Sequence, residues 1–204
     1  MSERKDHWEN IYQNKSPLEV SWYQQEPTLS LGLIDHCRLD KDQPIIDVGG
    51  GASVLVDRLL TRGFNNLSVL DISAQALLVT QQRLGQQADR VNWIVTDITE
   101  FQPEQHFSLW HDRAVFHFLT DPADRASYIA ALHGGLKPGA HLILAAFAIG
   151  GPTKCSGLDI VQYDSDKLCK TLGDDFELLE TASEIHLTPA GGEQAFQYYR
   201  LIRK

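Results

Sequence analysis

Cysteine is scarce in this chain of 204 residues: Cys37, Cys155 and Cys169 lie far apart, and no Cys-x-x-Cys pair occurs. That spacing argues against a disulfide framework and a zinc ribbon, and reduced thiols are the expectation. No His-Glu-x-x-His or comparable spacing unites the eight histidines, so no metal site is expected. Long apolar runs are missing as well. The strongest, around Ala140–Ile149, falls far short of the roughly 20 residues that cross a bilayer. The opening MSERKDHWEN is charged and lacks the apolar core of a secretory signal, which leads us to expect a cytoplasmic protein with no membrane partner. Basic residues are outnumbered, 18 Lys and Arg against 27 Asp and Glu, for a formal charge of −9. Such a surface repels phosphate backbones and no basic run offsets it, so no nucleic-acid partner is expected. A small molecule or a basic protein segment fits better.

Repeats, low-complexity tracts and dividing linkers are also absent. The chain therefore reads as a single domain over residues 1–204, with an N-terminal helical arm or lid over 1–40 and a core over 44–204. In the core, strand and helix signals alternate. Pro44–Val48, Leu67–Leu70, Val91–Val95 and Phe107–His111 are short apolar runs that read as strands. Ser53–Arg62, Ala74–Gln87 and Asp124–Leu136 have apolar residues at helical spacing. LKPGAHLILAAFA turns at Pro138–Gly139 and enters a fifth strand. This order predicts an α/β, Rossmann-like three-layer sandwich with parallel strands and helices on both faces. After a helix near Ser165–Leu172, Phe176–His186 and Gln194–Ile202 read as a closing antiparallel hairpin around Pro189, Gly191 and Gly192. In the arm, Trp8 and Tyr12 fall on one face of a short helix, and Trp22 and Tyr23 follow in a loop ended by Pro27.

The chemistry concentrates where the strands end. IIDVGGGASVLVDRLL places Gly49, Gly50 and Gly51 between the first strand and first helix, where a backbone without Cβ can turn sharply and approach a ligand. Val54 stands where a Gly-x-Gly-x-x-Gly dinucleotide fingerprint needs its third glycine, and no Gly-Lys-Ser/Thr follows for a P-loop. Asp47, just before the loop, would repel pyrophosphate and suit a cationic amine. Asp71 ends the second strand in LSVLDIS, where an acid can accept from ribose hydroxyls. Asp97, in WIVTDIT, closes the third, where an acid can accept from an adenine amine.

Together these motifs resemble the class I S-adenosylmethionine-dependent methyltransferases, over about Pro44 to Lys204. DVGGGAS resembles that family's acidic-x-Gly-x-Gly loop, VLDIS its ribose-binding acid, TDIT its adenine-contacting acid, and LKPGAHLIL the turn and strand after the fourth helix. The resemblance implies a small single-domain member with a seven-stranded, mostly parallel sheet whose last strand is antiparallel. It implies S-adenosylmethionine as cofactor and S-adenosylhomocysteine as product. Gly49, Gly50 and Gly51 would receive the methionine part, with Asp47 supporting the loop or reaching the ammonium through water. Asp71 would hold the ribose, and Asp97 with Ile98 the adenine. Ile72 and His111 complete the implied cofactor set, and Ser53, where many members carry another glycine, would cap the helix and leave binding intact.

The residues past the fourth strand, in LWHDRAVFHFLTD, would face the reactive methyl group: His111, Asp112, Arg113, Phe116 and His117 are acceptor-site candidates, with Trp22 and Tyr23 from the arm. HDRA does not resemble the Asn/Asp-Pro-Pro-aromatic element of adenine-amino methyltransferases. A general base is needed only for an acceptor that arrives protonated, and His111 or His117 could supply it. Asp112 could instead fix the loop, by pairing with Arg113. Trp22, Tyr23, Phe116 and Phe147 could wall a cationic acceptor, and Cys155 is expected to be a wall residue or bystander. SWYQ in the arm resembles the amino-terminal segment of small members related to protein lysine methyltransferases. The acceptor is thus a protein lysine or a small molecule, in a monomer or weak homodimer. Two other readings share the loop and Asp71: an NAD(P)-dependent oxidoreductase, and a catalytically silent S-adenosylmethionine-binding subunit.

Overall fold

The computed structural model of the protein describes residues 3–16 and 18–204. Met1, Ser2 and Pro17, which belong to the expected arm, lie outside them. Seven strands form one sheet: β1 (Ile45–Val48), β2 (Leu67–Asp71), β3 (Val91–Val95), β4 (Phe107–Arg113), β5 (Leu136–Phe147), β6 (Phe176–Leu187) and β7 (Glu193–Arg203), in the order β3-β2-β1-β4-β5-β7-β6. β1 to β5 are mutually parallel. β7 runs antiparallel to both of its neighbours, so the last strand of the chain is inserted between β5 and β6. The order reverses between β1 and β4, and that is where an open parallel sheet leaves a crevice beyond its strand ends.

Among the described residues six α-helices cover the sheet: α1 (Glu3–Asn14), α2 (Thr28–His36), α3 (Leu55–Thr61), α4 (Ala74–Leu84), α5 (Pro122–Gly135) and α6 (Ser165–Leu172). Side chains alternate across each strand, so β1 sends Ile45 to one face and Ile46 and Val48 to the other. On the first face Ile45, Val69, Leu109 and Ile143 pack with Leu31 and Ile34 of α2 and Leu55 and Leu59 of α3. On the second, Ile46, Leu70, Trp110 and Leu142 pack with Tyr128 and Leu132 of α5 and Leu168 of α6. Burying each such side chain contributes about 1.5–3 kcal/mol, and these two layers hold the strand ends in fixed register.

The helix boundaries follow local chemistry. Ser73 Oγ accepts from Ala76 N–H and starts α4. Asp121 accepts from Ala123 N–H ahead of Pro122 in α5, and Asp164 accepts from Lys167 N–H at α6. Several boundaries differ from those read in the sequence. The first core helix begins at Leu55 rather than Ser53, although Ser53 Oγ still accepts from Leu55 N–H at 3.1 Å. α4 stops at Leu84 because Gly85 adopts φ +56, and Gly85–Arg90 tightens into a 3-10 turn. β4 continues through Asp112 and Arg113, and β5 already begins at Leu136. Two elements were not foreseen: α2, and a small hairpin pairing Lys154–Cys155 with Leu158–Asp159. Among the described residues, no helix is long and apolar enough to cross a membrane.

Candidate active site

The end of β1 is built around three glycines that cannot be replaced without collision. Gly49 has φ +69, and a Cβ there would overlap Cγ2 of Val115. A Cβ on Gly50 would overlap the carboxylate of Asp47, and one on Gly51 that of Asp71 and the Cβ of Ala76. The loop is thus a close meeting of β1, β2, α4 and the segment past β4. Beneath it lies Asp47, buried, with Oδ1 2.7 Å from Nδ1 of His111. His111 Nε2 is 2.9 Å from Ser30 Oγ of α2, so both ring nitrogens are committed. The other oxygen of Asp47, Oδ2, is buried with no hydrogen-bond partner.

Asp71, the last residue of β2, accepts from Gly51 N–H on Oδ2 (3.0 Å) and from Ser73 N–H on Oδ1 (2.8 Å). Burial pushes its carboxyl up to about 6, against the pull of those two N–H donors. Glu9 of α1 closes the neighbouring helix start: it accepts from Ser73 Oγ, Ala74 N–H and Gln75 N–H. Asp97 lies past the end of β3 and accepts from Thr99 N–H and Oγ1. Arg4 of α1 donates to both oxygens of Asp97, at 3.2 and 3.0 Å, and also pairs with Asp124.

Beyond β4 the chain turns through Ala114, a residue other than glycine at φ +72. That left-handed conformation is costly and persists where surrounding contacts impose it. Asp112 supplies those contacts: its buried carboxylate accepts from Val115 N–H, Phe116 N–H and Tyr128 OH. It does not pair with Arg113. Arg113 instead donates from Nε to Tyr198 OH at 2.9 Å and from Nη1 to Trp22 O at 3.0 Å, and its guanidinium lies 4.3 Å from the Phe196 ring centre. His117, in the 3-10 turn Phe116–Phe118, is fully buried against Phe118 and Phe147 with no partner for either nitrogen. Burial, then the charge of Arg113, lowers it to about 3.

These residues surround a two-lobed cavity astride Gly49. The first lobe, of about 730 Å³ with its open mouth, is lined by Asp71, Ile72, Asp97 and Ile98 below, by Val115, Phe118 and Leu119 on one side, and by Trp8 of α1. The second, of about 590 Å³, holds Asp47, Gly50, Ser53, His111, Tyr23 and Ser30. Tyr12, Trp22, Gly49 and Arg113 line both lobes. Of the residues singled out in the sequence, Gly51, Asp112, Phe116, His117 and Phe147 line neither lobe. Gly51 and Asp112 act on the cavity through the backbone that they hold, and His117 is placed as packing. Arg4, Glu9, Ser30, Val115, Phe118 and Leu119 were missed. For the last three the signal was present, as an apolar cluster directly after β4. For Arg4 and Glu9 only the arm's return over the strand ends reveals the contact.

The fold is that of the class I S-adenosylmethionine-dependent methyltransferases. A methyltransferase from Anabaena variabilis described as SAM-dependent superposes with a TM-score of 0.75 at 15% identity, covering 100% of this chain and 96% of that one. The N-methyltransferase NodS from Bradyrhizobium japonicum, in complex with S-adenosylhomocysteine, gives 0.71 at 17% identity and covers 99% of both. Residues 46–142 match the family model described as a methyltransferase domain. In sequence the chain is 28% identical over 101 residues to nodulation protein S of Rhizobium tropici, spanning 50% of this chain and 42% of that relative's length. The chain thus shares its fold with S-adenosylmethionine-dependent methyltransferases, and a little under half of its length resembles a methyltransferase domain in sequence.

Proposed function

We propose that the protein transfers a methyl group from S-adenosylmethionine to a small acceptor enclosed between the arm and the end of β4. The observation that carries this reading is the two-lobed cavity, in which the ends of three adjacent parallel strands present Asp71 and Asp97 to one lobe and Asp47 to the other, with Gly49 lining both. The residues fit the cofactor. The unpartnered Oδ2 of Asp47 suits an ammonium, directly or through water. Asp71 retains acceptor capacity for two ribose hydroxyls beyond its two backbone donors, since an ionised carboxylate offers about four lone-pair sites. Asp97 and Ile98 stand at the base of the apolar lobe, where an adenine ring would lie between Ile72 and Leu119. When bound, the cofactor supplies an electrophilic methyl group on a sulfonium. What the chain contributes is alignment and the exclusion of water, which together can account for much of the rate of an in-line displacement.

Two observations weigh against the dinucleotide reading: the position of Val54, and the Arg4 guanidinium being held by two carboxylates, Asp97 and Asp124, rather than left for a phosphate. The enclosed aromatic walls favour a small molecule over a folded protein. Calorimetry should show binding of S-adenosylhomocysteine and none of NADH. Asp71→Asn should weaken the S-adenosylhomocysteine complex by about 2 kcal/mol through loss of hydrogen bonds to a charged acceptor. Binding unchanged in a folded Asp71→Asn protein would refute the ribose assignment. A silent binding subunit would bind the ligand yet transfer no tritiated methyl group to any fraction of a cell extract.

A further inference from the structure

We propose that the acceptor reacts as an anion, its attacking atom a thiolate, phenolate or carboxylate, and that Arg113 is the group that receives it. This rests on the methyl-transfer reading above and names its substrate class. Arg113 ends β4, lines both lobes and has a side chain only 11% exposed. Two arms of its guanidinium are satisfied by Tyr198 and the Trp22 carbonyl, but Nη2 is buried with no hydrogen-bond partner. The nearest carboxylate, Glu184 of β6, is 3.8 Å away and already accepts from Tyr198 OH and from Gln24 Nε2. A buried donor on a permanently charged group is costly when unmade, and an anionic ligand atom relieves that cost.

The surroundings leave the charge available. Glu184 and His186 of β6, Tyr198 of β7, His117 and Cys155 stand around Arg113. Burial lowers both histidines and raises the phenol and the thiol, Cys155 to about 11, so each is held toward its neutral form. With the cofactor bound, the bases of the cavity are taken, Asp47 Oδ2 by the ammonium and Asp71 by the ribose. His111 has both nitrogens engaged, His117 lines neither lobe, and Asp71 and Asp97 are bound at the far strand ends by backbone and Arg4. An ammonium acceptor would find nowhere to leave its proton and would face a cation. An anion needs no base. Its attacking atom bonds to the methyl carbon as the carbon–sulfur bond breaks, and that electron pair stays on the sulfur of S-adenosylhomocysteine. Anion and sulfonium become two neutral centres, with no proton released. Trp8, which meets Trp22 at 5.5 Å and Phe118 at 5.1 Å between ring centres, gives the apolar wall that strengthens such an ion pair and suits an apolar acceptor body.

The test uses the full-length protein saturated with S-adenosylhomocysteine and 4-nitrophenol as a chromophoric probe. Bound probe should ionise at lower pH than free probe, its proton affinity down by about tenfold or more from a guanidinium at contact distance. Arg113→Gln should abolish that shift and Arg113→Lys should restore part of it, with folding checked by circular dichroism. In turnover with S-adenosylmethionine, thiophenol, 4-nitrophenol and benzoate separate the three anion types, and benzylamine stands for amines. Methylation of benzylamine alone, an unshifted probe, or failure of every anionic probe to bind overturns the proposal. So does a loss of S-adenosylhomocysteine affinity of more than tenfold in Arg113→Gln, because Arg113 would then hold the cofactor's own carboxylate. If wild-type protein does not bind S-adenosylhomocysteine at all, the methyltransfer reading itself falls and this proposal with it.

Discussion

Asp71 carries the sharpest residue-scale consequence. Burial holds its carboxyl at about 6 although Gly51 and Ser73 donate to it. Ligand hydroxyls would favour the ionised form. Below about pH 6 that form has to be regained before binding, so the affinity for S-adenosylhomocysteine should fall by up to about tenfold per pH unit. Calorimetry from pH 5 to 8 checks this, and Asp71→Asn should flatten the profile. Stability runs the other way. Between the unfolded value of about 3.9 and about 6 the native state holds more protons than the unfolded one, so this group's contribution declines as pH rises through that window and is constant above it. Asp71 was legible in the sequence because it ends a strand at the right distance from a glycine turn. Asp112 was legible in part: the sequence allowed it to fix the loop, but named Arg113 as its partner because a sequence does not tell which way a carboxylate near the end of β4 faces. Its role is set by Tyr128, a residue of α5 that only packing brings within 2.7 Å.

At the scale of elements, α1 is tied to the core by charged contacts at strand and helix ends: Arg4 on Asp97 and Asp124, and Glu9 on the first turn of α4. Arg4 is about a third exposed, so solvent screens its pairs and they carry little stability. Glu9 does more, because a carboxylate at a helix N-terminus satisfies N–H groups that otherwise lack partners. Glu9→Ala should cost about 1 kcal/mol and loosen the arm. Limited proteolysis should then cut the segment before α2 faster than in the native protein while the sheet core survives. Equal cutting rates would show that aromatic packing of Trp8 and Tyr12 suffices. The parallel strands were readable because their apolar runs are short and bounded by turns. α2 was hidden by Pro27 and Gly32, which read as loop punctuation, and by its low amphipathicity: Ser30, Leu31, Leu33 and Ile34 are all buried, on more than one face. The hairpin holding Cys155 was hidden for the opposite reason, being only two residues long on each side.

For the whole molecule, the cavity links three segments that are distant in the chain: the arm, the strand ends of β1 to β3, and the turn past β4. Tyr12, Trp22, Gly49 and Arg113 line both lobes, so a ligand filling them bridges the first 22 residues to residue 113 and beyond. Ligand binding should therefore stabilise the fold as one cooperative unit rather than order a loop alone. At S-adenosylhomocysteine concentrations about 100-fold above the dissociation constant, linkage gives about 2.7 kcal/mol. For a domain of this size that corresponds to a rise in Tm of about 5–10 °C. A thermal scan followed both by tryptophan fluorescence and by far-ultraviolet circular dichroism measures it. In a Trp93→Phe, Trp110→Phe background Trp8 and Trp22 report the arm, while the dichroism reports helices and sheet throughout, so both signals should move by the same amount. A shift in fluorescence alone would mean that the ligand orders the arm without engaging the ends of β1 to β3, and the placement of the cofactor against Gly49, Asp71 and Asp97 would have to be abandoned.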